Sequence, residues 1–507
     1  MHPLSLQFLG NITEALTGET WENPKIISEI VKRTGFYHAK SIGRKTRVLM
    51  LHSNNMHFFA DLLALWSLGA TVTCLDPGIG ADEFGALAEE QGAQYGIYRQ
   101  NIPKKLSTGN LSLKFIDTLE ADSYNNKHQR LDFEGGCFDD PALLLYTSGS
   151  TGLPKGVVHT HRSLRAKWQV LRQYVPLSDC ETSLCFLPTH FGHGLICNAL
   201  YPLLNGCHLV LLPKADPASL VRLPEILQQY NVTFMSSVPS AWRVILKFAA
   251  APERKTLRRV HIGSAPLSSE LWKQVQEWTG TQTVGNTYGI TETGSWVAGL
   301  PADLREVTPN DGFVGIGWGS DIMISSKDSK SIIINEDLSL PLALPKGEKG
   351  YVWLRTQCLM QEYLARPQQT AEVLQQEWFF TGDLGMIDDR GLFYLTGRVR
   401  NEINKGGIKI SPEEIDLVIE TNQDIVEACS FGKEDAVLGQ NVAVCVVFRD
   451  PENPPTVSSL KIWASNHLSD YKIPALWYAV EAIPKTERGK IKRDDIAKLC
   501  QTMVPLR

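Results

Sequence analysis

The chain has 507 residues, of which 43% are hydrophobic and 21% charged, with a formal net charge of −5 and a pI near 6.2. This composition is typical of a soluble globular protein, and at roughly 150 residues per domain the length predicts about three domains or subdomains. The slight negative charge gives no reason to expect a nucleic-acid partner.

The cysteines and the N-terminus carry no sign of export. Ten cysteines are dispersed without a C-x-x-C pair, so a disulfide framework or zinc site is not expected and a reducing, cytoplasmic location fits. Residues 1–4 lack a basic region followed by an apolar core, so no secretory signal is predicted. Residues 58–75 come nearest to a membrane span, but Asp61 and Gly69 interrupt them, which favours a buried helix followed by a strand.

A glycine-rich loop behind an apolar run is the strongest pattern in the chain. Residues 142–145 predict a buried strand, 146–157 combine hydroxyls, glycines and Lys155, and apolar residues recur at helical spacing from Leu164 to Val175. The order strand, loop, helix directs backbone N–H groups and a helix N-terminus at phosphate. Lys155 lies between Pro154 and Gly156, so the P-loop NTPase pattern is not met, and a flexible surface loop is the alternative.

The later patterns divide the chain into two parts. Strand-like residues 209–212 and 232–235 flank a helical stretch at 219–230, which predicts α/β layering with largely parallel sheets. Beyond residue 398, Ser411, Pro412 and Glu414 predict a helix start with a capping box. A strand at 441–448, a helix at 457–468 and a strand at 477–483 are predicted after it. We expect a large N-terminal α/β domain, 1–398, and a small mobile α+β lid, 399–507, with the hinge near 399–401.

The loop at 146–157 resembles the phosphate-binding signature of the adenylate-forming superfamily, which includes acyl-CoA and aryl-CoA ligases, nonribosomal peptide adenylation domains and firefly luciferase. Other resembling segments follow in the family order, namely 68–77, 187–194, 263–267, 286–293, 381–383, 397–398, 403–415 and 484–493. The resemblance therefore covers nearly the whole chain.

The resemblance implies a nucleotide site. It assigns Thr147, Ser148, Gly149, Ser150, Thr151 and Lys155 to the β- and γ-phosphates of ATP, Thr291 to the α-phosphate, Glu292 to Mg²⁺, Tyr288 to the adenine, and Asp383 with Arg398 to the ribose. The chemistry agrees, since carboxylate oxygen suits Mg²⁺ and an aromatic ring suits a purine face. Taken singly, Tyr288 could be a core aromatic and Asp383 a turn residue.

Three further positions are implied for the lid. Lys490 is assigned to the first step, where its ammonium would bridge the attacking carboxylate and the α-phosphate, although 485–493 taken alone reads as a solvated basic tail. Lys405, Gly406 and Gly407 resemble the loop that lines the pantetheine tunnel of acyl-CoA ligases. Arg400 occupies the hinge position, where the family commonly has Asp or Lys, which puts the ease of lid rotation in question.

The acid pocket is assigned from the same resemblance. Its candidate walls are His190, Ser237, Val238, Trp242, Gly263, Ser264 and Gly289. His190 also forms an H-x-x-H pair with His193, which leaves a metal site as an alternative to a pocket wall. The segment 234–242 contains no Asp to hold an amino-acid ammonium, so an aryl or aliphatic acid is expected instead.

The predicted activity is ATP-dependent activation of such an acid to an acyl-adenylate, with release of pyrophosphate, followed by transfer to the thiol of CoA. The expected cofactors are ATP, Mg²⁺ and CoA. A stand-alone ligase that loads the phosphopantetheine of a carrier protein is the alternative. A luciferase-like oxygenase and a non-catalytic nucleotide-binding protein are alternatives from other classes.

Overall fold

The structure is a computed structural model that describes residues 8–52, 54–100, 113–125, 137–147, 154–213, 217–264, 267, 269–303, 308, 312–326, 343–398, 403–410, 412–484 and 493–506. Its strands are β1 Ile12–Glu14, β2 Thr20–Trp21, β3 Arg47–Met50, β4 Thr71–Cys74, β5 Tyr95–Tyr98, β6 Lys114–Asp117, β7 Pro141–Thr147, β8 Lys155–Thr160, β9 Thr182–Cys185, β10 His208–Leu211, β11 Phe234–Ser237, β12 Arg259–Gly263, β13 Val284–Ile290, β14 Ser295–Gly299, β15 Phe313–Gly317, β16 Ser320–Ser325, β17 Gly350–Thr356, β18 Glu362–Tyr363, β19 Leu374–Gln375, β20 Trp378–Ile387, β21 Phe393–Arg398, β22 Ile403–Lys405, β23 Ile408–Ile410, β24 Ile425–Asp435, β25 Gly439–Phe448 and β26 Leu476–Ala479.

The helices pack on the faces of these sheets. They are α1 Asn23–Ala39, α2 Met56–Ser67, α3 Ala81–Glu90, α4 His161–Tyr174, α5 Tyr201–Leu203, α6 Pro217–Val221, α7 Leu223–Gln229, α8 Pro239–Phe248, α9 Ser269–Thr279, α10 Pro367–Val373, α11 Pro412–Ile419, α12 Val457–His467 and α13 Arg493–Thr502. A π-helical turn at His193–Leu200 and a 3₁₀ turn at Thr291–Thr293 flank the cavity described below.

The described strands form three sheets. The first has fourteen strands, in the order β16-β17-β20-β21-β15-β14-β13-β12-β11-β9-β10-β1-β2, with β19 beside β20. The second has seven, in the order β18-β8-β7-β4-β3-β5-β6. Pairing is parallel from β1 to β13 across the centre of the first sheet and from β6 to β7 in the second, and antiparallel beyond β13 and β7. The predicted parallel layering describes the buried centre of these two sheets.

The arrangement predicted around the glycine-rich loop is wrong in one respect. The loop does not lead directly into a helix, because β8 follows it and pairs antiparallel with β7, with Thr147 opposite Lys155. Helix α4 begins only at His161, where the Thr160 hydroxyl accepts a hydrogen bond from the Ser163 amide. Three of the four residues from Val157 to Thr160 are β-branched and all four are buried, which favours a strand. Thr147 and Lys155, on either side of the loop, are therefore paired strand residues, and strand β8 separates Lys155 from the N-terminus of α4.

The third sheet belongs to the C-terminal part of the chain. Its order is β23-β22-β25-β24, with β26 parallel to β25, and α11, α12 and α13 accompany it. Ser411 and residues 399–402 lie outside the described residues, so the domain boundary at 398 and the hinge at Arg400 stay predictions. Among the residues the structure describes, no helix combines the length and apolar character needed to cross a membrane.

Charged and polar groups join the C-terminal part to the N-terminal sheets. Glu83 at the start of α3 accepts a hydrogen bond from the Ser469 hydroxyl at 2.5 Å and forms an ion pair with Lys472, while His467 contacts Asp82. The Lys472 side chain is only 5% exposed and that of Glu83 13%, so this pair is shielded from solvent. The third sheet and its helices are therefore held against the N-terminal part at the start of helix α3.

Candidate active site

A cavity of about 550 Å³ lies between the N-terminal sheets and the C-terminal sheet. Residues from both parts line it. The C-terminal part contributes Lys405, Gly406, Gly407, Ile408, Val437, Leu438, Tyr471 and Lys472. The cavity therefore lies where the sequence predicts a site between the large domain and the lid.

The predicted phosphate loop begins and ends at this cavity. Thr147, the last residue of β7, and Lys155, the first residue of β8, are paired across the hairpin and both line the cavity. Ser148, Gly149, Ser150 and Thr151 lie outside the described residues. The two described ends of the loop are thus placed as a phosphate-binding role requires.

Glu292, the predicted Mg²⁺ ligand, faces the same cavity beside Lys155. Its Oε1 accepts a hydrogen bond of 2.6 Å from the Tyr363 hydroxyl, and its backbone carbonyl accepts from the Met360 amide at 2.7 Å. Its other oxygen, Oε2, has no hydrogen-bond or ion-pair partner among the described residues. Because carboxylate oxygens are what Mg²⁺ prefers in proteins, this free oxygen fits a metal ligand. Thr291 also lines the cavity, and its carbonyl contacts His159 Nε2 at 2.8 Å.

Tyr288 and Asp383, which the resemblance assigns to adenine and ribose, are joined directly. The Tyr288 hydroxyl donates to Asp383 Oδ2 at 2.7 Å, and both residues are buried. Thr381 and Gly382, just before Asp383, line the cavity. Arg398 lies opposite Asp383 in the β20–β21 pairing. The structure therefore brings Tyr288 and Asp383 into contact next to the cavity residues Gly289 and Gly382, with the backbone of Arg398 opposite Asp383.

Asn54 holds the loop that enters the acid pocket. Its Nδ2 donates to the Leu187 carbonyl at 2.9 Å, and its Oδ1 accepts from the Thr189 amide at 2.9 Å. Asn54 is 2% exposed and has a φ of 49°, in the left-handed region that asparagine tolerates better than most residues. Since the loop then reaches Phe191 and His193, the position of the pocket wall depends on Asn54.

His193, rather than His190, is the polar histidine at the cavity. Phe191, Gly192 and His193 line it, whereas His190 packs against Phe191 with a ring distance of 4.3 Å and its buried Nδ1 has no hydrogen-bond partner. Burial lowers the pKa of His193 to about 3, so its ring is neutral at physiological pH.

The neutral ring of His193 lies between two serine hydroxyls. Its Nε2 is 2.6 Å from Ser236 Oγ and its Nδ1 is 2.9 Å from Ser264 Oγ. Ser236 Oγ also donates to the His261 carbonyl, at 3.4 Å. All three contacts are hydrogen bonds only if Nε2 carries the proton and the Ser264 hydroxyl donates to Nδ1. The oxygen of Ser264, a cavity residue, then offers its lone pairs as an acceptor.

The other predicted pocket residues divide into two groups. Val238 and Gly289 line the cavity with Ser264. Trp242 is fully buried and donates from Nε1 to Ser237 Oγ at 2.6 Å, and a side chain at Gly263 would meet Thr287 Oγ1 at 2.7 Å. These last three residues, Trp242, Ser237 and Gly263, support the wall from behind.

The loop at 405–407 reaches the cavity from the C-terminal side. Lys405 Nζ donates to the Tyr471 carbonyl at 3.0 Å, and burial lowers the pKa of this ammonium despite the nearby Asp435. Gly407 has a φ of 93°, and a Cβ there would lie 2.9 Å from Val238 Cγ1. Only glycine permits this close approach of the loop to the pocket wall.

Asn404 attaches this loop to the acid pocket. Its Nδ2 donates to the Ser264 carbonyl at 3.2 Å, and its Oδ1 accepts from the Gly407 amide at 3.0 Å. Sequence reasoning missed Asn404, Asn54 and Tyr363, because each acts through a partner that is close in space only after folding. No local pattern distinguishes them from ordinary loop and strand residues.

Comparison with known proteins now decides the family. A model described as AMP-binding enzyme matches residues 34–364, and one described as AMP-binding enzyme C-terminal domain matches residues 414–490. The chain belongs to this family. Oxalate–CoA ligase of Arabidopsis thaliana is 30% identical over 470 residues, which cover 89% of this chain and 88% of the relative.

Two more relatives agree with that assignment. 4-Coumarate–CoA ligase 3 of Arabidopsis thaliana is 28% identical over 480 residues, covering 89% of this chain and 82% of the relative. An o-succinylbenzoate CoA synthetase from Bacillus subtilis, 21% identical, superposes with a TM-score of 0.84 over 100% of this chain and 98% of its own. The predicted adenylate-forming superfamily, the α/β fold with its small C-terminal domain, and the enzyme class, an AMP-forming ligase of the acyl-CoA synthetase type, are confirmed.

Replacing Asn54 with alanine should weaken acid binding much more than nucleotide binding. The change leaves the buried Leu187 carbonyl and Thr189 amide unpaired, at a cost of about 1–3 kcal/mol for each group, and loosens the loop that carries Phe191 and His193. We expect KM for the acid to rise about tenfold and KM for ATP to change less than twofold. Asn54→Asp keeps the acceptor for the Thr189 amide but sets a carboxylate oxygen against the Leu187 carbonyl, so its effect should be at least as large as that of alanine. Equal changes in both KM values would contradict this role.

Asn404→Asp should separate the two half-reactions. The carboxylate still accepts from the Gly407 amide but places an oxygen against the Ser264 carbonyl, where the amide now donates. Since a lost buried hydrogen bond is worth about 1–3 kcal/mol, thioester formation from synthetic acyl-AMP should fall roughly 10- to 100-fold. Acid-dependent ATP–pyrophosphate exchange should stay within about threefold of the unsubstituted enzyme. A parallel fall in both reactions would show that Asn404 is needed merely for folding.

Proposed function

We propose that this enzyme activates a non-amino carboxylic acid with ATP and Mg²⁺ and transfers the acyl group to CoA, using the cavity between its two parts for both steps. The acid carboxylate attacks the α-phosphorus, pyrophosphate leaves, and the thiol then displaces AMP from the acyl-adenylate. The observation that carries the proposal is that Thr147, Lys155, Thr291 and Glu292 line one cavity with the loop at 405–407.

Each described group has a part in the first step. Thr147, Lys155 and the loop between them bind the β- and γ-phosphates, Thr291 the α-phosphate, and Tyr288 with Asp383 and Arg398 the nucleoside. Glu292 holds Mg²⁺, which neutralises phosphate charge when bound. Lys490 lies outside the described residues, and we assign it, from the family motif, the charge that bridges the carboxylate and the α-phosphate.

The described lining residues support an acid without an ammonium group. Two of them are acidic, and both are engaged, since Glu83 pairs with Lys472 and Glu292 accepts from Tyr363. The walls near His193 are largely apolar, and include Phe186, Leu187, Leu220, Val238 and Val244. We infer an aryl or aliphatic acid whose hydroxyl group, where it has one, donates to the Ser264 oxygen.

The acceptor follows from the loop at 405–407. Gly406 and Gly407 let the loop lie close against Val238 and Ser240 at the edge of the cavity, and the loop resembles the one that lines the pantetheine tunnel of acyl-CoA ligases. The phosphopantetheine of a carrier protein has the same pantetheine arm as CoA and stays the second candidate. Rotation of the lid at Arg400 would move Lys490 out of the cavity and bring this loop in. We also propose a cytoplasmic location.

Lys490→Ala should remove the first step and spare the second. A single preorganised charge donor is worth on the order of 10²- to 10³-fold in rate, and Lys490 is proposed to act only on the carboxylate and the α-phosphate. Acid-dependent ATP–pyrophosphate exchange should fall by that factor, while thioester formation from synthetic acyl-AMP should stay near that of the unsubstituted enzyme. If the second reaction falls as far as the first, the assignment of Lys490 is wrong.

A pyrophosphate-release panel tests the substrate class. It compares aryl, fatty, short-chain, dicarboxylic and α-amino acids, each with and without CoA, and pairs each aryl acid with its hydroxylated form. We expect turnover with aryl or aliphatic acids and thioester only when CoA is present. Turnover confined to α-amino acids would overturn the proposed pocket, and thioester formed only on a carrier protein would establish the second candidate.

A further inference from the structure

Tyr363 stands between the two oppositely charged side chains of the nucleotide site. Its hydroxyl donates to Glu292 Oε1 at 2.6 Å, and the Lys155 ammonium lies over its ring, 4.8 Å from the centroid. Tyr363 is only 4% exposed, and it lines the cavity together with Lys155 and Glu292. One aromatic side chain therefore contacts the anion through its hydroxyl and the cation through its face.

The backbone around Tyr363 fixes the ring. Strand β18 pairs with β8, which sets Tyr363 opposite Val157, two residues after Lys155. The Tyr363 amide donates to Thr370 Oγ1 at 3.0 Å, and the Arg366 amide donates to the Tyr363 carbonyl at 3.1 Å. The ring thus has a fixed position relative to both charged residues.

Without such a ring the two charges would attract each other. Opposite unit charges attract strongly where water is partly excluded, and an ion pair would neutralise both. No ion pair joins Lys155 and Glu292 in the structure. The face of the Tyr363 ring attracts the Lys155 ammonium without neutralising its charge. The hydroxyl occupies only one carboxylate oxygen and leaves Oε2 to a metal.

We propose that Tyr363 is a positioning residue that keeps the Lys155 ammonium and the Glu292 carboxylate apart, so that Lys155 serves phosphate and Glu292 serves Mg²⁺. This inference rests on the proposed function, because it takes Glu292 to be the metal ligand. The relevant measurement is therefore metal binding itself, in addition to the reaction rate.

Two substitutions separate the hydroxyl from the ring. Tyr363→Phe keeps the ring face and loses the hydrogen bond to Glu292. Tyr363→Leu loses both and allows Lys155 to reach Glu292. Tyr394→Phe also removes a tyrosine hydroxyl, but in β21 and outside the cavity lining, so it serves as the matched control for Tyr363→Phe.

The readout is Mn²⁺ bound in the presence of a non-hydrolysable ATP analogue, followed by electron paramagnetic resonance of free Mn²⁺. Removing a residue that orients a metal ligand typically lowers metal affinity by about 10- to 100-fold. We expect about a tenfold loss for Tyr363→Phe, a larger loss for Tyr363→Leu, and none for Tyr394→Phe. Thioester formation from acyl-AMP, which needs neither ATP nor metal, should be unchanged in Tyr394→Phe and should fall less than Mn²⁺ affinity in the two Tyr363 variants.

A second substitution tests the separation of charges directly. Adding Lys155→Met to Tyr363→Leu removes the competing cation, so Mn²⁺ affinity should recover at least threefold relative to Tyr363→Leu alone. Lys155→Met in the presence of Tyr363 should not raise it. Failure of this recovery, or Mn²⁺ affinity unchanged in Tyr363→Phe and Tyr363→Leu, would overturn the proposal. If the unsubstituted enzyme shows no nucleotide-dependent Mn²⁺ binding, the assignment of Glu292 in the proposed function fails instead.

Discussion

Two anions have to meet in one cavity, and this electrostatic constraint accounts for the arrangement of its charged residues. A carboxylate can approach a triphosphate only where positive charge offsets their repulsion, which grows as water is excluded. Lys155 at the start of β8, the proposed metal at Glu292 and the proposed Lys490 of the lid supply that charge. Cations and a metal-binding carboxylate placed so close together would neutralise one another, so their separation matters as much as their presence. In our proposal, Tyr363 keeps Lys155 and Glu292 apart.

The same constraint explains why the proposed lid would present Lys490 in the first step and the loop at 405–407 in the second. Once pyrophosphate has left, the strongest repulsion is gone and the site needs access for a thiol instead of another cation. In this structure the loop at 405–407 lies at the cavity, and Asn404 joins it to Ser264. The arrangement therefore matches the proposed second step, with the Glu83–Lys472 pair holding the lid in place.

The proposed movement of the lid requires contacts that are weak enough to break in every cycle. The Glu83–Lys472 ion pair is shielded from solvent, so it can contribute more than the 0–1 kcal/mol of an exposed pair. Each 1.4 kcal/mol shifts the balance of lid positions tenfold. A few such contacts suffice to favour one arrangement, whereas a large apolar interface would fix it. The contacts between the C-terminal part and α3 are made by the polar residues His467, Ser469 and Lys472, which fits the proposed movement of the lid.

How far the sequence predicted the site depends on what each residue does. The chemistry of phosphate, metal and nucleoside binding constrains the type of residue, so such residues recur as motifs, and Lys155, Glu292, Tyr288 and Asp383 were predicted from motifs. The fold class followed from the alternation of strands and helices. Strand β8, between the phosphate loop and α4, was not expected, because the β-branched residues Val157, Val158 and Thr160 suit a strand but do not mark one until strand pairing is known.

Positioning residues are a different case, because their partners are fixed only by folding. Tyr363 acts across 71 residues of sequence, Asn54 across 135 and Asn404 across 140. Many side chains could fill such a role, so no short pattern marks them. The acid pocket is built from this second kind of residue, with His193 held between Ser236 and Ser264 and its loop held by Asn54. Membership of the family therefore fixes the reaction at the phosphate, while the identity of the acid depends on contacts that each member arranges for itself.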